Sequence, residues 1–377
     1  MMTKYTRTGL TVAILVGVAW VATERGSAQQ APVPAQQAAA ADPCAAPAGG
    51  RGGARGGGAA AAGAPAQGRA AAAPGAPALG GGAAAAGAQA TGRGATPARK
   101  RVLAWADSRN GRAQHEYVSY ALAQLQRIGH DSGLYNVIIR TDSDIISFAP
   151  KMTDGTTPAS GGPSLCNIDV ILYAGHRNVP LRPDQQRDLV SALKDRGVGF
   201  VSLFIGMLPN TDWPEMHNIL GTGNADSDVH DPFGGSSTFI NERPDSPFTR
   251  HLPKVWELAN GAVYHPDRYT RDNIDVLLRK DLSKLSPVAD YTRTDGDYPV
   301  AWTKMYGKSK VFVSTIGNSE ALWDNKDLLK MYDEAIKWSL GMTQYEVRPH
   351  PLPADARPPQ GPPAPARAGR GGRGAAQ

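Results

Sequence analysis

The stretch DYPVAWTKMYGKSKVFVSTIGNSEALWDNKDLLKMYDEAIKWSLGM, residues 297–342, decides the fold class. Its apolar residues change period partway along. Val300 and Trp302, then Val311, Val313 and Thr315, favour pleated structure, and Tyr306-Gly307-Lys308 supplies a tight turn between them. Further on the spacing lengthens to three and four, so Leu328, Leu329, Tyr332, Ile336 and Leu340 fall on one face of a helix. Gly317 ends the second strand, with Asn318, Ser319 and Glu320 behind it. Ligand sites of open α/β sheets usually lie at such a strand tip.

Working outward, the segment before this block alternates strand with helix. Val102-Leu103-Ala104-Trp105-Ala106 is a nearly continuous apolar run, as expected of a strand buried on both faces. A loop over residues 107–112 leads to a helix through Tyr117, Tyr120, Ala121, Leu125 and Ile128, with Gly129 as its stop. Residues 135–141 and 170–174 read as the second and third strands. Pro183 suits the first turn of the next helix, Gly197 its end, and residues 199–204 a fourth strand. Such alternation argues for a parallel sheet wound with right-handed crossovers. Residues 237–241, 276–278, 300–304 and 311–315 have few helices between them. They extend the sheet, partly antiparallel, or form a flanking lobe.

The ends of the chain differ in kind. Residues 1–28 have the layout of a secretory signal: Lys4 and Arg7, an apolar run over 10–22, then Gly26-Ser27-Ala28. That run is short for a membrane span, which takes about 20 residues. Export, periplasmic or secreted, is the expectation. Residues 29–98 are almost all Ala, Gly, Pro, Gln and Arg, and residues 347–377 are similar. Neither buries enough apolar surface to offset its ordering entropy, so both are expected to be disordered around a domain at 99–346.

Charge follows the same division. The chain carries 40 basic and 34 acidic residues, but residues 1–101 and 347–377 hold 15 of the basic ones and only Glu24, Asp42 and Asp355 of the acids. The middle has 25 basic against 31 acidic, a net of −6. A nucleic-acid-binding fold would carry its positive charge on the domain, so nucleic acid is excluded as the expected partner. The Arg-rich flanks suit weak, salt-sensitive contact with anionic envelope polymers. Cys44 and Cys166 stand far apart, and two free thiols are expected in preference to a bridge.

The closing block resembles the ThuA-like (trehalose utilisation) family, a branch of the class I glutamine amidotransferase-like fold. Other pieces are similar to it in order and spacing: Asp169 to Tyr173 with Leu181-Arg182-Pro183-Asp184, the glycine-rich strand entry from Gly197, Asp212-Trp213-Pro214-Glu215 with Leu220-Gly221, and Asp245-Ser246-Pro247 through Leu252-Pro253. The resemblance implies an α/β fold with a doubly wound, mostly parallel sheet of the flavodoxin and amidotransferase kind, with added antiparallel strands in the second half. It also implies a link to disaccharide catabolism. The chain departs from the family where Phe204 and Asn318 stand at positions usually held by His, and where Gly261, Ala262 and Val263 precede Tyr264 without an acid. Related amidotransferases carry a nucleophilic cysteine after the fourth strand. None is near Phe204, so amidotransferase chemistry, which needs that thiolate, is rejected.

Candidate chemistry collects at the strand tips. Asp107 follows the first strand and His176 the third, where a carboxylate and an imidazole can move protons on a sugar or carbonyl compound; each also reads as an ordinary loop residue. Glu320 is either an acid/base group opposite His176, if the final strand lies beside the third, or a helix-start charge. His217 and His230 follow the fourth strand. His230 lies in a carboxylate-dense run, 226–231, that can hold a divalent cation but suits an exposed loop better, so no metal or other cofactor is expected. Trp213, Tyr264, His265 and Trp302, with Asn318, are candidate sugar-binding residues. Trp302 lies mid-strand and reads more readily as core. The resulting expectation is acid/base cleavage or isomerisation of a disaccharide or keto-glycoside, the alternative being a sugar-binding or scaffolding module without catalysis.

Overall fold

A computed structural model of the chain describes residues 42–45, 99–108, 115–152, 154–159, 162–175, 181–204, 213–222, 235–261, 263–266, 268–284 and 295–356. The expected signal segment, most of the linker, and the tail beyond residue 356 lie outside the described residues, as do His176 and His230. Residues 42–45 form a turn in which the Cys44 N–H donates to the Asp42 carboxylate at 2.9 Å. Neither cysteine is a free thiol: Cys44 and Cys166 are each disulfide-bonded, which corrects the expected free pair.

From residue 99 onward the chain builds one nine-stranded mixed sheet. The strands are β1 (Lys100–Trp105), β2 (Tyr135–Arg140), β3 (Val170–Tyr173), β4 (Gly199–Leu203), β5 (Ser237–Asn241), β6 (Val255–Leu258), β7 (Asp275–Lys280), β8 (Pro299–Tyr306) and β9 (Ser309–Ser314). Their order is β2-β1-β3-β4-β9-β8-β7-β5-β6. The first five in that order pair in parallel, and β8, β7, β5 and β6 continue antiparallel. Of the two arrangements left open for the second half, extension of the sheet is the one observed. The four-residue β6 was not foreseen. It is an edge strand that buries Trp256 and Leu258 while Val255 and Glu257 face out.

The central parallel strands are largely apolar because both of their faces are covered. Val102, Leu103, Val170, Ile171, Leu172, Val201, Val311, Phe312 and Val313 are all fully buried. At about 1.5–3 kcal/mol for each such side chain, burial fixes where these strands sit. Helices α1 (Tyr117–Ser132), α2 (Pro183–Lys194), α3 (Pro214–Leu220) and α4 (Lys326–Ser339) alternate with the strands. α1 packs on β1 and β2, and α4 on β4 and β9.

Local chemistry sets the boundaries. Asn325 caps α4 by accepting from the Asp327 and Leu328 N–H groups, each at 3.0 Å. The helix buries Leu328, Tyr332 and Ile336 as its spacing required, with Met331, Ala335 and Trp338 beside them. The β8–β9 hairpin pairs Tyr306 with Ser309, leaving Gly307-Lys308 as a two-residue turn with Gly307 at φ +57°. α1 does not stop at Gly129. It runs to a left-handed Gly133, and Gly129 is interior because a Cβ there would lie 2.6 Å from Val137 Cγ2 on β2. That glycine serves close packing, not termination.

The fold also continues past residue 346, beyond the expected edge of the domain. The Arg348 N–H and the Tyr345 hydroxyl donate to Asp275 Oδ2 at 2.9 and 2.6 Å. His350 Nε2 lies 2.8 Å from Glu242 and its Nδ1 3.4 Å from Asp275. Arg271 binds Glu242 at 2.7 Å and Asp297 at 2.6 Å, and Arg243 meets Asp275 at 2.8 Å. Burial works against the charges of Glu242 and Asp275, but hydrogen bonds from His350 and the surrounding donors outweigh it and hold both carboxyls below their usual range. The first residues of the polar tail are thus fixed by charge pairing rather than by apolar burial, the signal on which the boundary had been read.

Candidate functional site

In the strand order, β2 lies on one side of β1 and β3 on the other, so the chain reverses direction across the sheet between β1 and β3. In an open α/β sheet the crevice at that reversal, beyond the carboxyl ends of the strands, is where ligands bind. The structure ends β1 on Trp105, followed by Asp107, and pairs Trp105 with Tyr173, the last residue of β3. The β4 tip carries Phe204 and the β9 tip leads to Gly317 and Asn318.

Asp107 is 6 % exposed, and the Ser143 hydroxyl donates to its Oδ2 from the segment after β2. Its charge reaches Tyr173. Burial first, and the Asp107 charge second, push the Tyr173 phenol well above its usual pKa. The Tyr173 ring lies 4.6 Å from that of Trp105 and bends over the strand tip. Gly175 makes this possible, because a Cβ there would lie 2.7 Å from the Tyr173 hydroxyl. Tyr117, the first residue of α1, is fully buried. Desolvation raises its phenol well above the usual value, with Tyr173 and Tyr264 adding to the effect.

Phe204 joins the pieces. Its ring stands edge-on to Tyr117 at 5.0 Å and tilted against Tyr264 at 5.1 Å. It adopts φ +50°, a left-handed conformation costing about 1–2 kcal/mol in a residue with a Cβ. Beside it, Gly317 has φ +133°, and a Cβ there would meet Phe204 Cβ at 3.5 Å and Trp323 at 3.2 Å.

The polar atoms at these tips are buried without partners. Among the described residues, Trp105 Nε1, the Tyr117 and Tyr173 hydroxyls and Asn318 Oδ1 have no hydrogen-bond partner. An unsatisfied buried polar group costs about 1–3 kcal/mol, and four of the twelve such atoms among the described residues lie at this end of the sheet.

The structure thus brings Asp107, Tyr264 and Asn318 to one region. The other described candidates have different surroundings. Trp302 is fully buried in β8, its indole N–H donating to the Leu220 carbonyl at 2.9 Å, which is a core position. Glu320 is exposed at the start of a 3₁₀ turn, Glu320–Asp324, and its charge reaches Tyr120 on α1. β4 separates β9 from β3, so the premise that Glu320 faces the third strand from a neighbouring one does not hold. Trp213 sits half-buried at the start of α3, and His265 packs edge-on to Tyr298 at 5.4 Å. Burial, and then the Arg268 charge, hold His217 below the usual histidine range. Among the described residues, no group of three His, Cys, Asp or Glu side chains is placed to hold a metal ion.

Trp105, Tyr117 and Tyr173 were read as core from the sequence. The available signal was a polar-tipped aromatic as the last residue of a buried strand or the first of the helix after it. A surface cleft of about 460 Å³ lies elsewhere, beside Asp245, Tyr345 and Arg348. The Tyr345 hydroxyl and the Arg348 N–H beside it donate to Asp275.

The fold is α/β, with polar side chains buried at the tips of its parallel strands. The chain belongs to the ThuA family, whose model is described as trehalose utilisation and matches residues 101–339. Among solved structures it is similar to a ThuA-like protein from Bacteroides uniformis, with 16 % identity over 67 % of this chain and 95 % of that one and a TM-score of 0.49. It is also similar to one from Parabacteroides merdae, with 14 % identity over 69 % and 94 % and a TM-score of 0.47. No functionally curated protein matches the chain.

Proposed function

We propose that the crevice beyond β1, β3, β4 and β9 binds a small carbohydrate and that the chain cleaves or isomerises a disaccharide or keto-glycoside by acid/base chemistry. The observation carrying this reading is the set of unpartnered buried donors and acceptors beside the Asp107 carboxylate. A sugar hydroxyl both donates and accepts, and a family tied to trehalose utilisation supplies the substrate class. In this scheme Asp107, oriented by Ser143, takes or returns a proton, and His176 after β3 is its partner. His230 and Glu320 are subordinate members, Glu320 reaching the crevice only if its turn moves. Tyr264 and Asn318 line the sugar.

The same reading takes the five parallel strands as a doubly wound sheet and gives the chain an exported setting, periplasmic or secreted. It needs no cofactor or metal and has a small carbohydrate, not nucleic acid, as partner. Incubating the full chain with trehalose, other disaccharides and their keto forms at pH 5 to 8 tests it. Product formation that Asp107→Asn abolishes supports the reading, and no product from any of them removes the enzyme reading.

A second reading has one specific observation behind it. Phe204 puts an apolar ring, held on both sides by Tyr117 and Tyr264, where relatives keep histidine. A carbohydrate-binding module without turnover follows from that. Calorimetry showing binding without product selects it.

A further inference from the structure

Beyond the residues discussed for proton transfer, the two tyrosines at the strand tips carry an argument of their own. Each is almost fully buried, Tyr117 at 0 % and Tyr173 at 1 % exposure, and neither hydroxyl has a hydrogen-bond partner among the described residues. A buried tyrosine normally places its hydroxyl on a partner. Elsewhere in this chain that rule is obeyed: the Tyr332 hydroxyl donates to the Ile316 carbonyl at 2.6 Å, Tyr269 to the Asp297 carbonyl at 2.5 Å and Tyr135 to Asp333 at 2.8 Å. The two exceptions come from different elements, the start of α1 and the end of β3, yet lie close enough to influence each other's ionisation. Gly175 is shaped around the Tyr173 hydroxyl, since any larger residue there would displace it.

We propose that Tyr117 and Tyr173, with Asn318, are specificity-determining residues that read neighbouring hydroxyl or carbonyl groups of the bound sugar. This rests on the carbohydrate reading above. The phenols stay protonated and offer a donor and an acceptor each, while Asn318 Oδ1 accepts. An uncharged polyol presents hydroxyls that both donate and accept. An apolar ligand of the same shape leaves the three groups unpaired and is rejected, as sites built on buried polar groups do.

Tyr117→Phe, Tyr173→Phe and the double variant of the full chain test this by two readouts. The first is thermal unfolding without ligand. Removing an orphaned hydroxyl leaves the melting temperature unchanged or raises it; a fall in both single variants shows that the hydroxyls already had structural partners, ordered water included, and overturns the proposal. The second is calorimetric titration with trehalose and a panel of neutral disaccharides. Each single variant is expected to bind about tenfold more weakly, the loss of one ligand hydrogen bond. Binding unchanged in both variants overturns the tyrosine assignment while leaving the carbohydrate reading standing. No binding of any disaccharide to the wild-type chain sinks the carbohydrate reading itself, and with it this one.

Discussion

The two halves of the sheet treat buried polarity in opposite ways. On the antiparallel side, Arg271, Glu242, Asp297, Asp275, Arg243 and His350 are buried or half-buried and joined by contacts of 2.6 to 3.4 Å. On the parallel side, Trp105, Tyr117, Tyr173 and Asn318 are buried and unpaired at the strand tips. Desolvating a charge costs several kcal/mol, so a chain tolerates it only with partners in place. An unpaired neutral hydroxyl costs less and can be kept for a ligand. On the proposed function, the difference separates a polar network that holds the fold together from one kept for a ligand.

Breaking the paired side has the largest expected effect. Arg271→Met leaves Glu242 and Asp297 buried beside an apolar side chain and lowers stability by about 3–5 kcal/mol, read by urea unfolding. Ligand affinity of the protein that remains folded stays at the wild-type level. A loss below about 1 kcal/mol shows that the network is not structural.

Lys304 comes next. Burial pushes its amine down to about 8, against the pull of the Glu215 charge. The unfolded chain then holds a proton that the folded one has released between pH 8 and about 10.4, so stability rises with pH across that window. The slope reaches at most about 1.4 kcal/mol per pH unit, and Lys304→Met flattens it. Denaturant midpoints at pH 8, 9 and 10 check both statements.

His350 titrates with the opposite sign. Hydrogen bonds to Asp275 and Glu242 raise its pKa despite burial. Its contribution is fully present below about pH 6.5 and is lost as pH rises through the elevated folded value. About 1–2 kcal/mol of stability is expected to disappear over that rise and to be absent in His350→Asn, as charge-assisted bonds of this kind are worth. The tyrosine-to-phenylalanine changes at the tips give no stability loss, and a gain of up to about 1–3 kcal/mol, while weakening ligand binding. That reversal of rank between stability and affinity is what the comparison requires.

Much of the fold was legible because burial writes itself into spacing. The run from Val102 to Ala106, the hairpin turn at Gly307 and the three-and-four pattern of α4 each report a local rule obeyed by the whole structure. Gly129 misled because a glycine required by a neighbouring strand looks, in sequence, like one required by a helix end. β6 is too short to show more than two alternations, and the tail to His350 is held by charges whose partners lie about 70 to 110 residues away.

The site was legible only in its frame. Asp107 and Asn318 followed from strand ends, but Tyr117 and Tyr173 have the look of core in any linear reading, since a hydroxyl's missing partner is a three-dimensional fact. Trp302 shows the reverse: a candidate wall residue whose indole N–H is already spent on the Leu220 carbonyl.

Hydrogen–deuterium exchange of the full chain with and without saturating trehalose, extended to the other disaccharides of the panel, tests the central claim most directly. Slower exchange is predicted in peptides spanning residues 103–108, 171–175 and 315–320, with residues 271–280 and 345–350 unchanged. Protection confined to the antiparallel half, with the strand tips unaffected, would contradict the account.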